Sequence, residues 1–363
     1  MTEGLYQAKK LLDSAKNILV LTPQNPGLDS LASAVSLSYT LNNKGKIVNL
    51  YPRTIPQNYA LLFPQTLNPS RFVISIKGKE ISELYYEKEN QILKISLSPK
   101  GSKITKDDIN FDDFQELPKT DSDLLITVGI ENLEILEDFY EENFKLFYQT
   151  PILNIDNRPI NNRFGNINLV SENLPMTLIS NQLLDLLPGP TDQNIKTWIL
   201  AGIIAFSKDR GANQEIMNSV FDLITANIRY KELLKFFAKN ESVRELNILE
   251  IALKKIEFRR EKQLPVISLT KKDFQESGTN PKDLGFVLEE LSNNILRLPS
   301  LLLLWESENN KTPVRGVFYS SKPYSSSKIL EAFEGTAKGR AIIFKAENGN
   351  INEIKEKIME IIF

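Results

Sequence analysis

Acidic and amide side chains follow two short apolar runs of this sequence, and their types suit either structural or metal chemistry. Asn25 and Asp29 come after the run Ile18–Leu21 and a Pro/Gly turn, and Asp156 directly follows the run Ile152–Ile155. A carboxylate at the mouth of a helix either caps free N–H groups or serves as a metal ligand. Both roles are open for Asp29. Asp156 is expected to order its loop through hydrogen bonds to the backbone.

A permanent cation, Arg158, stands two residues after Asp156, with the amide Asn157 between them. A guanidinium group presents a rigid fork of donors, which can hold a phosphate group without cleaving it. An ordinary ion pair on the surface explains the presence of Arg158 equally well.

The composition excludes several classes of catalytic site. The 363-residue chain contains no cysteine and no histidine. Without cysteine there are no disulfides, thiolate nucleophiles or cysteine-based zinc sites. Without histidine the commonest general base and the commonest transition-metal ligand are missing, which excludes histidine triads and HExxH sites. The net charge of −2 gives no electrostatic support for nucleic-acid binding.

Length and hydropathy indicate a soluble protein with two domains. Hydrophobic residues make up 41% and charged residues 25% of the chain, which is ordinary for globular proteins. The length suffices for two domains that each bury a core. There is no apolar stretch long enough to span a bilayer, and the N-terminus has no signal-peptide pattern. We therefore expect a cytoplasmic protein without a membrane partner.

The segment after the first apolar run resembles the first motif of the DHH phosphoesterases, T-H-x-N-P-D-G-D-A-x-G-S. The residues that match this motif in order and spacing are Thr22, Asn25, Pro26, Asp29 and Ser33. The metal-binding histidine and the first aspartate of the motif fall at Pro23 and Gly27. The sequence thus keeps several residues of the motif but lacks its metal-binding histidine and its first aspartate.

Later segments continue the resemblance over nearly the whole chain. The family pattern N-I-D-H-H-x-x-N-x-x-F-G-x-x-N-L-V is matched by Asp156, Asn161 or its neighbour Asn162, Phe164, Gly165 and Asn168. The triad that names the family reads Asp156-Asn157-Arg158 here. The aspartate expected after the run Leu124–Val128 is replaced by Gly129, and the aspartate of the family motif A-G-I-x-x-D-T is replaced by Phe206.

The resemblance implies a degenerate metal site. The positions that hold two metal ions in the family correspond to Pro23, Gly27, Asp29, Gly129, Asn157 and Phe206. Only Asp29 keeps an anionic ligand, whereas a two-metal site needs several ligands to hold ions about 3.5–4 Å apart. We therefore predict no catalytic residue, no metal ligand other than the position of Asp29, and no cofactor. Manganese or magnesium belongs only to the alternative of an active site that has been rebuilt.

The carboxyl-terminal part resembles the DHH-associated substrate-binding domain, whose turn G-G-G-H-x-x-A-A-G cradles a substrate phosphate. The corresponding turn spans Ala332–Ala341, in which only Gly335 keeps its place, and Ser320 stands where the family has an arginine. Lys338 and Arg340 remain as cations that attract phosphate. The predicted ligand-binding residues are accordingly Asn25, Asp29, Asp156, Asn157, Arg158, Lys338 and Arg340.

Hydrophobic periodicity predicts an α/β fold: a Rossmann-like parallel sheet with flanking helices, a β-rich insertion and a second, smaller mixed α/β domain. The predicted divisions are a DHH-like domain over 1–230, with the insertion at about 72–111, a connecting helix over 231–262 and a second domain over 263–363. Within the insertion, Ile81–Lys88 and Gln91–Leu97 are expected to form antiparallel strands. The periodic part of the connecting helix is Ile248–Lys262.

The leading functional hypothesis is a catalytically inactive DHH phosphoesterase-like protein that acts in binding or as a scaffold. On this hypothesis the interdomain cleft retains a nucleotide or a short single-stranded nucleic acid. The alternative is an active phosphoesterase of the oligoribonuclease or pAp phosphatase type with a rebuilt site. A third interpretation makes the insertion at 72–111 the surface for a protein partner and the cleft a vestige. The resemblance also implies a homodimer.

Overall fold

The computed structural model of this chain describes residues 2–52, 55–63, 72–77, 80–89, 92–101, 103–113, 122–189, 192–238, 242–307, 312–321 and 326–362. Residues Met1–Pro64 and Ser122–Phe363 form one compact unit, and Gln65–Asp121 form another. The larger unit contains two separate sheets.

The chain starts with a βαβ unit flanked by one helix. Its elements are α1 (Thr2–Ser14), β1 (Asn17–Leu21), α2 (Leu28–Asn43) and β2 (Ile47–Tyr51). After Asn17, strand β1 is apolar and buried, because both faces of a parallel sheet are covered by helices. The helix α2 returns the chain to the start of β2, which lies parallel to β1.

The smaller unit contains the predicted β-rich insertion. Its elements are β3 (Phe72–Ile76), β4 (Glu80–Glu89), β5 (Ile92–Lys100) and β6 (Ile109–Asp113). β4 pairs antiparallel with β5, and β3 pairs antiparallel with β6. The predicted strand over Gln91–Leu97 begins outside the described residues, because Gln91 is not among them.

The chain then returns to the first sheet. The following elements are β7 (Leu124–Val128), α3 (Asp138–Glu142), α4 (Phe144–Gln149), β8 (Ile152–Asp156), β9 (Ile167–Val170), α5 (Met176–Leu184), α6 (Gln193–Arg210), α7 (Gln214–Thr225) and α8 (Tyr230–Phe237). The five-stranded sheet has the order β2-β1-β7-β8-β9, and every pair in it is parallel. Its carboxyl ends therefore lie at one edge, where ligand sites of open α/β sheets are found.

Helix α2 lies at the centre of the helical layer, against α5 and α6. Its residues are small or apolar, and most of them are buried. The helices α5 and α6 meet closely at Gly202, where an added Cβ would lie 2.3 Å from Cγ2 of Thr177. Only glycine fits at this crossing, and the first turn of α5 is thereby fixed against α6.

The second sheet completes the larger unit. Its elements are α9 (Val243–Lys254), β10 (Ile256–Arg259), β11 (Leu264–Leu269), α10 (Lys271–Ser277), α11 (Leu284–Glu289), β12 (Ser300–Glu306), β13 (Val314–Ser320), α12 (Ser326–Ala332), β14 (Glu334–Lys338), β15 (Ala341–Ala346) and α13 (Ile351–Ile362). The strand order is β10-β11-β12-β13-β15-β14, in which only β11 and β12 run parallel. One face is covered by α12 and α13 through residues such as Ile329, Phe344 and Ile358.

The predicted helix over Ile248–Lys262 is wrong in its second half. Helix α9 ends at Lys254, and Ile256–Arg259 forms strand β10, which pairs with β11. Ile256 and Phe258 alternate with Glu257 and Arg259. This alternation is the two-residue period of a half-buried strand, and it outweighed the helical propensity of the surrounding charged residues.

The predicted phosphate-cradling turn over Ala332–Ala341 is also different in the structure. Glu334–Lys338 forms the edge strand β14, and a tight turn containing Gly339 at φ +62° joins it to β15. The helical segment between α10 and β12 is irregular: a 3-10 turn over Pro281–Asp283 precedes α11, and a π-helical turn over Glu290–Asn294 follows it.

The predicted fold class is confirmed: a parallel sheet with flanking helices is followed by a separate mixed sheet. The boundaries given for the domains remain a prediction. Among the helices that the structure describes, none is long and apolar enough to cross a membrane.

Candidate functional site

The Asp29 carboxylate lies in the second position of α2 and binds the first turn of a different helix, α5. Its Oδ2 accepts hydrogen bonds from the backbone N–H of Met176 and from Nδ2 of Asn157, both at 2.9 Å. Its Oδ1 accepts from the backbone N–H of Thr177 at 2.9 Å and from the Thr177 hydroxyl at 2.7 Å. A carboxylate has about four lone-pair directions. Asp29 therefore caps α5 and has no free lone pair for a metal ion.

The environment of Asp29 sets its protonation. Burial raises the pKa of the Asp29 carboxyl to about 6, while the hydrogen bonds from Thr177, Met176 and Asn157 act in the opposite direction. Desolvation disfavours the charged form, and donors aimed at the oxygens favour it. The carboxyl group is ionised at neutral pH and titrates in the mildly acidic range.

Asp156 holds the loop after β8. Its Oδ1 accepts the backbone N–H of Asn157 at 2.8 Å, and its Oδ2 accepts Nδ2 of Asn161 at 2.7 Å. Nδ2 of Asn154 donates to Oδ1 of Asn161 at 2.9 Å and to Oδ1 of Asn168 at 3.2 Å. These side chains form a continuous polar network from the carboxyl end of β8 to Asn168 in the first half of β9. Because Asn157 also donates to Asp29, the network reaches α2 and α5.

Gly129 has no room for a side chain. Its φ is +71°, and an added Cβ would lie 2.7 Å from Oγ of Ser30 and 3.3 Å from Sδ of Met176. The Ser30 hydroxyl donates to the carbonyl of Val128 at 2.9 Å. The DHH motif has alanine where this chain has Ser30, so the serine hydroxyl fills the space that an aspartate at position 129 would need.

The remaining family metal positions differ from one another. Gly27 precedes α2 and is exposed, and an added Cβ would meet nothing within 4 Å. Pro23 is half-buried and Asn25 is exposed in the same loop. Phe206 is buried and lines a cavity of about 690 Å³ together with Pro159, Glu172, Asn173, Arg210, Gly211, Ala212, Asn213 and Ile216. The loop before α2 could therefore accept new side chains, whereas position 206 is filled by an aromatic ring.

Arg210 belongs to this region although the sequence interpretation did not include it. Its guanidinium lies over the Phe206 ring, 5.5 Å from the centroid, and Nη1 donates to the carbonyl of Asn157 at 2.7 Å. Arg210 follows Phe206 by four residues in α6, and this spacing is the signal that points to the contact. Its hydrogen-bond partner is a backbone carbonyl, and every residue has one, so the sequence does not indicate this partner.

The predicted cations lie in different settings. Arg158 forms an ion pair with Glu131, with 3.4 Å between Nη1 and Oε2, so part of its charge is already compensated. Lys338 and Arg340 are exposed on either side of Gly339, in the turn between β14 and β15 of the second sheet. Their charges face water on a strand edge rather than a phosphate-cradling loop.

The donor set does not fit two divalent ions. In the part of the chain that the structure describes, no group of three or more aspartate, glutamate, histidine or cysteine residues is arranged to hold a metal. The lone pairs of Asp29 accept hydrogen bonds from α5 and Asn157. Both oxygens of Asp156 accept hydrogen bonds from the loop. The arrangement is a structural cross-link between strands and helices.

The fold and this polar edge define an α/β protein with a parallel sheet and a separate mixed sheet. Among solved structures, the chain is similar to an exopolyphosphatase-related protein from Bacteroides fragilis, with 16% identity over 99% of this chain and 96% of that chain and a TM-score of 0.47. It is also similar to a putative family II inorganic pyrophosphatase from Methanococcus jannaschii (13% identity, 95% and 99% covered, TM-score 0.33). CDC45 from Entamoeba histolytica is a third such structure (10% identity, 99% and 98% covered, TM-score 0.31).

No protein-family model matches the sequence, and no curated protein matches it.

Proposed function

We propose that this chain is a non-hydrolysing DHH-type protein that acts by binding or as a scaffold. The observation that carries the proposal is the state of Asp29, the surviving anionic position of the family's metal site. Its carboxylate accepts hydrogen bonds from Met176, Thr177 and Asn157. A metal ion could bind Asp29 only if several of these donors lost their buried acceptor.

The energetic balance supports this proposal. Each buried donor left without a partner costs about 1–3 kcal/mol. A single carboxylate gains little from one divalent ion when the neighbouring positions are Pro23, Gly27, Gly129 and Phe206, which offer no ligand side chain. Without the metal, a water molecule keeps its pKa of about 15.7 instead of about 7, and the nucleophile of the family mechanism is not generated.

The test is a metal titration and a hydrolysis assay on the full chain at neutral pH. We expect no Mn²⁺ binding by calorimetry and no turnover of pApA or bis(p-nitrophenyl) phosphate above the buffer blank. An active DHH phosphoesterase in the same assay is the positive control. Turnover that EDTA abolishes and Mn²⁺ restores would overturn the proposal and favour the alternative of a rebuilt phosphoesterase site.

A second candidate function, binding of a nucleotide or short single-stranded nucleic acid, is favoured by a group of basic residues on the second sheet. In the register of β13, β15 and β14, Arg315 lies opposite Lys345, and Lys338 lies opposite Ala341. Residues 341, 343 and 345 alternate with the buried Ile342 and Phe344, so Arg315, Lys345 and Lys338 share the face away from the α12–α13 core. We call this surface the basic sheet face.

Charge along the basic sheet face suits an anionic ligand, although Lys345 also pairs with Glu334 at 2.7 Å. Fluorescence anisotropy with a labelled oligonucleotide of about six nucleotides tests this candidate. We expect binding at low ionic strength that weakens steeply with added salt, because exposed charges act through a screened Coulomb attraction. No binding at low ionic strength would leave only the scaffold role.

A further inference from the structure

The hairpin of β4 and β5 stands out among the surfaces of the molecule. It belongs to the smaller unit, and in the described part of that unit its strands pair only with each other. A two-stranded hairpin is marginally stable at best in water, and a third strand or a covered apolar face is needed for stability. The hairpin has nine or ten residues in each strand, which is long for a structure without further support.

The register separates two chemically different faces. Residues directly opposite in an antiparallel ladder share a face, and successive residues alternate between faces. Leu84 pairs with Leu97, Tyr86 with Ile95 and Lys88 with Leu93. The other face carries the pairs Glu83 with Ser98, Tyr85 with Ser96, Glu87 with Lys94 and Glu89 with Ile92, in which charged and hydroxyl groups outnumber the apolar Ile92. We call the first set the apolar hairpin face and the second the polar hairpin face.

The apolar hairpin face is exposed to solvent. The exposed fractions are 65% for Leu84, 67% for Tyr86, 58% for Leu93 and 46% for Ile95. A tyrosine side chain buries roughly 150–250 Å² in an interface, so these side chains with Leu97 present on the order of 500 Å² of apolar surface. Contiguous apolar patches of this size on a monomer mark interaction sites.

We propose that this face is the interface with a second copy of the chain. Two such faces stacked on each other would remove on the order of 1,000 Å² from water, about the minimum for a specific protein–protein interface. A two-fold axis through the row of Tyr86 and Ile95 places the Leu84 and Leu97 row of one copy on the Lys88 and Leu93 row of the other. A two-fold interface requires a surface that complements itself in this way.

The single charge on the face agrees with this arrangement. Because the two chains run in opposite directions, the Lys88 side chains lie at opposite ends of the interface and do not repel each other. Each lysine covers leucine side chains with its aliphatic stem and leaves its ammonium group in water. The acidic residues Glu83 and Glu87 lie on the polar hairpin face, which stays in solvent.

Adjacent tyrosines provide a matched test of the proposal. Tyr86 and Tyr85 have exposed fractions of 67% and 62% but lie on opposite faces. Threonine keeps the preference for a strand at either position. Sedimentation equilibrium of the full chain should give a dimer for the wild type. Tyr86→Thr should raise the dimer dissociation constant at least tenfold, and Tyr85→Thr should change it less than twofold.

A second variant guards against a local folding defect. Ile95→Thr lies on β5, opposite Tyr86, and should weaken the dimer as Tyr86→Thr does while the far-ultraviolet circular dichroism stays unchanged. A wild-type mass of one chain at all concentrations overturns the proposal. If the chain stays monomeric and Tyr86→Thr lowers the melting temperature, the face is covered by the chain itself. If monomers sediment with vesicles of phosphatidylcholine and phosphatidylserine, the occupant is a lipid surface.

Discussion

The polar edge of the first sheet and the basic sheet face of the second differ in how their charged groups are used. In the first sheet, Asp29 and Asp156 are buried and hydrogen-bonded to their own chain. In the second, Lys338 and Arg340 are exposed in a turn. The first region therefore stabilises the protein, whereas the charges of the second face water.

The largest expected effect is the loss of the Asp29 carboxylate. Asp29→Ala leaves the donors of Met176, Thr177 and Asn157 buried without an acceptor, so the free energy of unfolding should fall by about 4 kcal/mol. Urea unfolding followed by circular dichroism measures it. Asn25→Ala, in the exposed part of the same loop, is the control and should change stability by less than about 0.5 kcal/mol. Equal losses of stability in the two variants would show that the Asp29 carboxylate contributes no more to the fold than the exposed Asn25 does.

The free energy of unfolding should also depend on pH through the protonation of Asp29. Because the pKa of Asp29 rises from 3.8 to about 6 on folding, the folded protein binds this proton more tightly than the unfolded chain. The contribution of Asp29 to the free energy of unfolding therefore falls as the pH rises from about 4 to about 6, by about 3 kcal/mol in total.

The measurement compares the wild type with Asp29→Asn, which does not titrate at this position. The difference between their free energies of unfolding should decrease over that pH range and become constant above about pH 7. A difference that increases with pH would mean that the hydrogen bonds outweigh burial in setting this pKa.

The third effect concerns the packing of Gly129 against Ser30. Gly129→Ala should lower the free energy of unfolding by about 2 kcal/mol, since it adds a Cβ at 2.7 Å from the Ser30 hydroxyl and places a side chain at positive φ. In a Ser30→Ala background the cost should fall by about 1 kcal/mol, because the nearest contact is removed. A double-mutant cycle gives this coupling. Strictly additive costs would show that Ser30 does not occupy the space in question.

The smallest expected effect is at the basic sheet face. Lys338→Ala should weaken binding of a short labelled oligonucleotide by about 1 kcal/mol at low ionic strength, as the loss of one exposed charge-assisted contact. Lys328→Ala is the control: it removes the same exposed charge from α12, whose Ile329 packs into the core on the other side of the sheet. If both variants weaken binding equally, the oligonucleotide responds to overall charge and not to this face.

The strands of the first sheet were predictable because β1, β7 and β8 are short, mostly apolar segments, as buried parallel strands are. The strands β10 and β14 were not. β10 is short and half charged, and β14 is exposed along its whole length. An exposed edge strand buries little apolar surface, so its position depends on backbone hydrogen bonds that any sequence can make.

For the site, the sequence showed that Asp29 and Asp156 each follow a predicted strand. It did not give the partner of Asp29, because the N-terminus of α5 follows no residue pattern that singles it out: its N-cap is Pro175, which offers no side-chain acceptor. The cap comes instead from a distant helix. Tertiary contacts of this kind are invisible to local periodicity.

The distance along the chain between the partners of Asp29 has a consequence for folding kinetics. Asp29 is 128 residues from Asn157 and 148 residues from Thr177. Contacts between such remote segments require large loops to close and are expected to form after the local strand and helix pairs. Interactions that form after the rate-limiting step act mainly on the unfolding rate. The cross-link made by Asp29 would then slow the opening of the folded molecule and lengthen its kinetic lifetime.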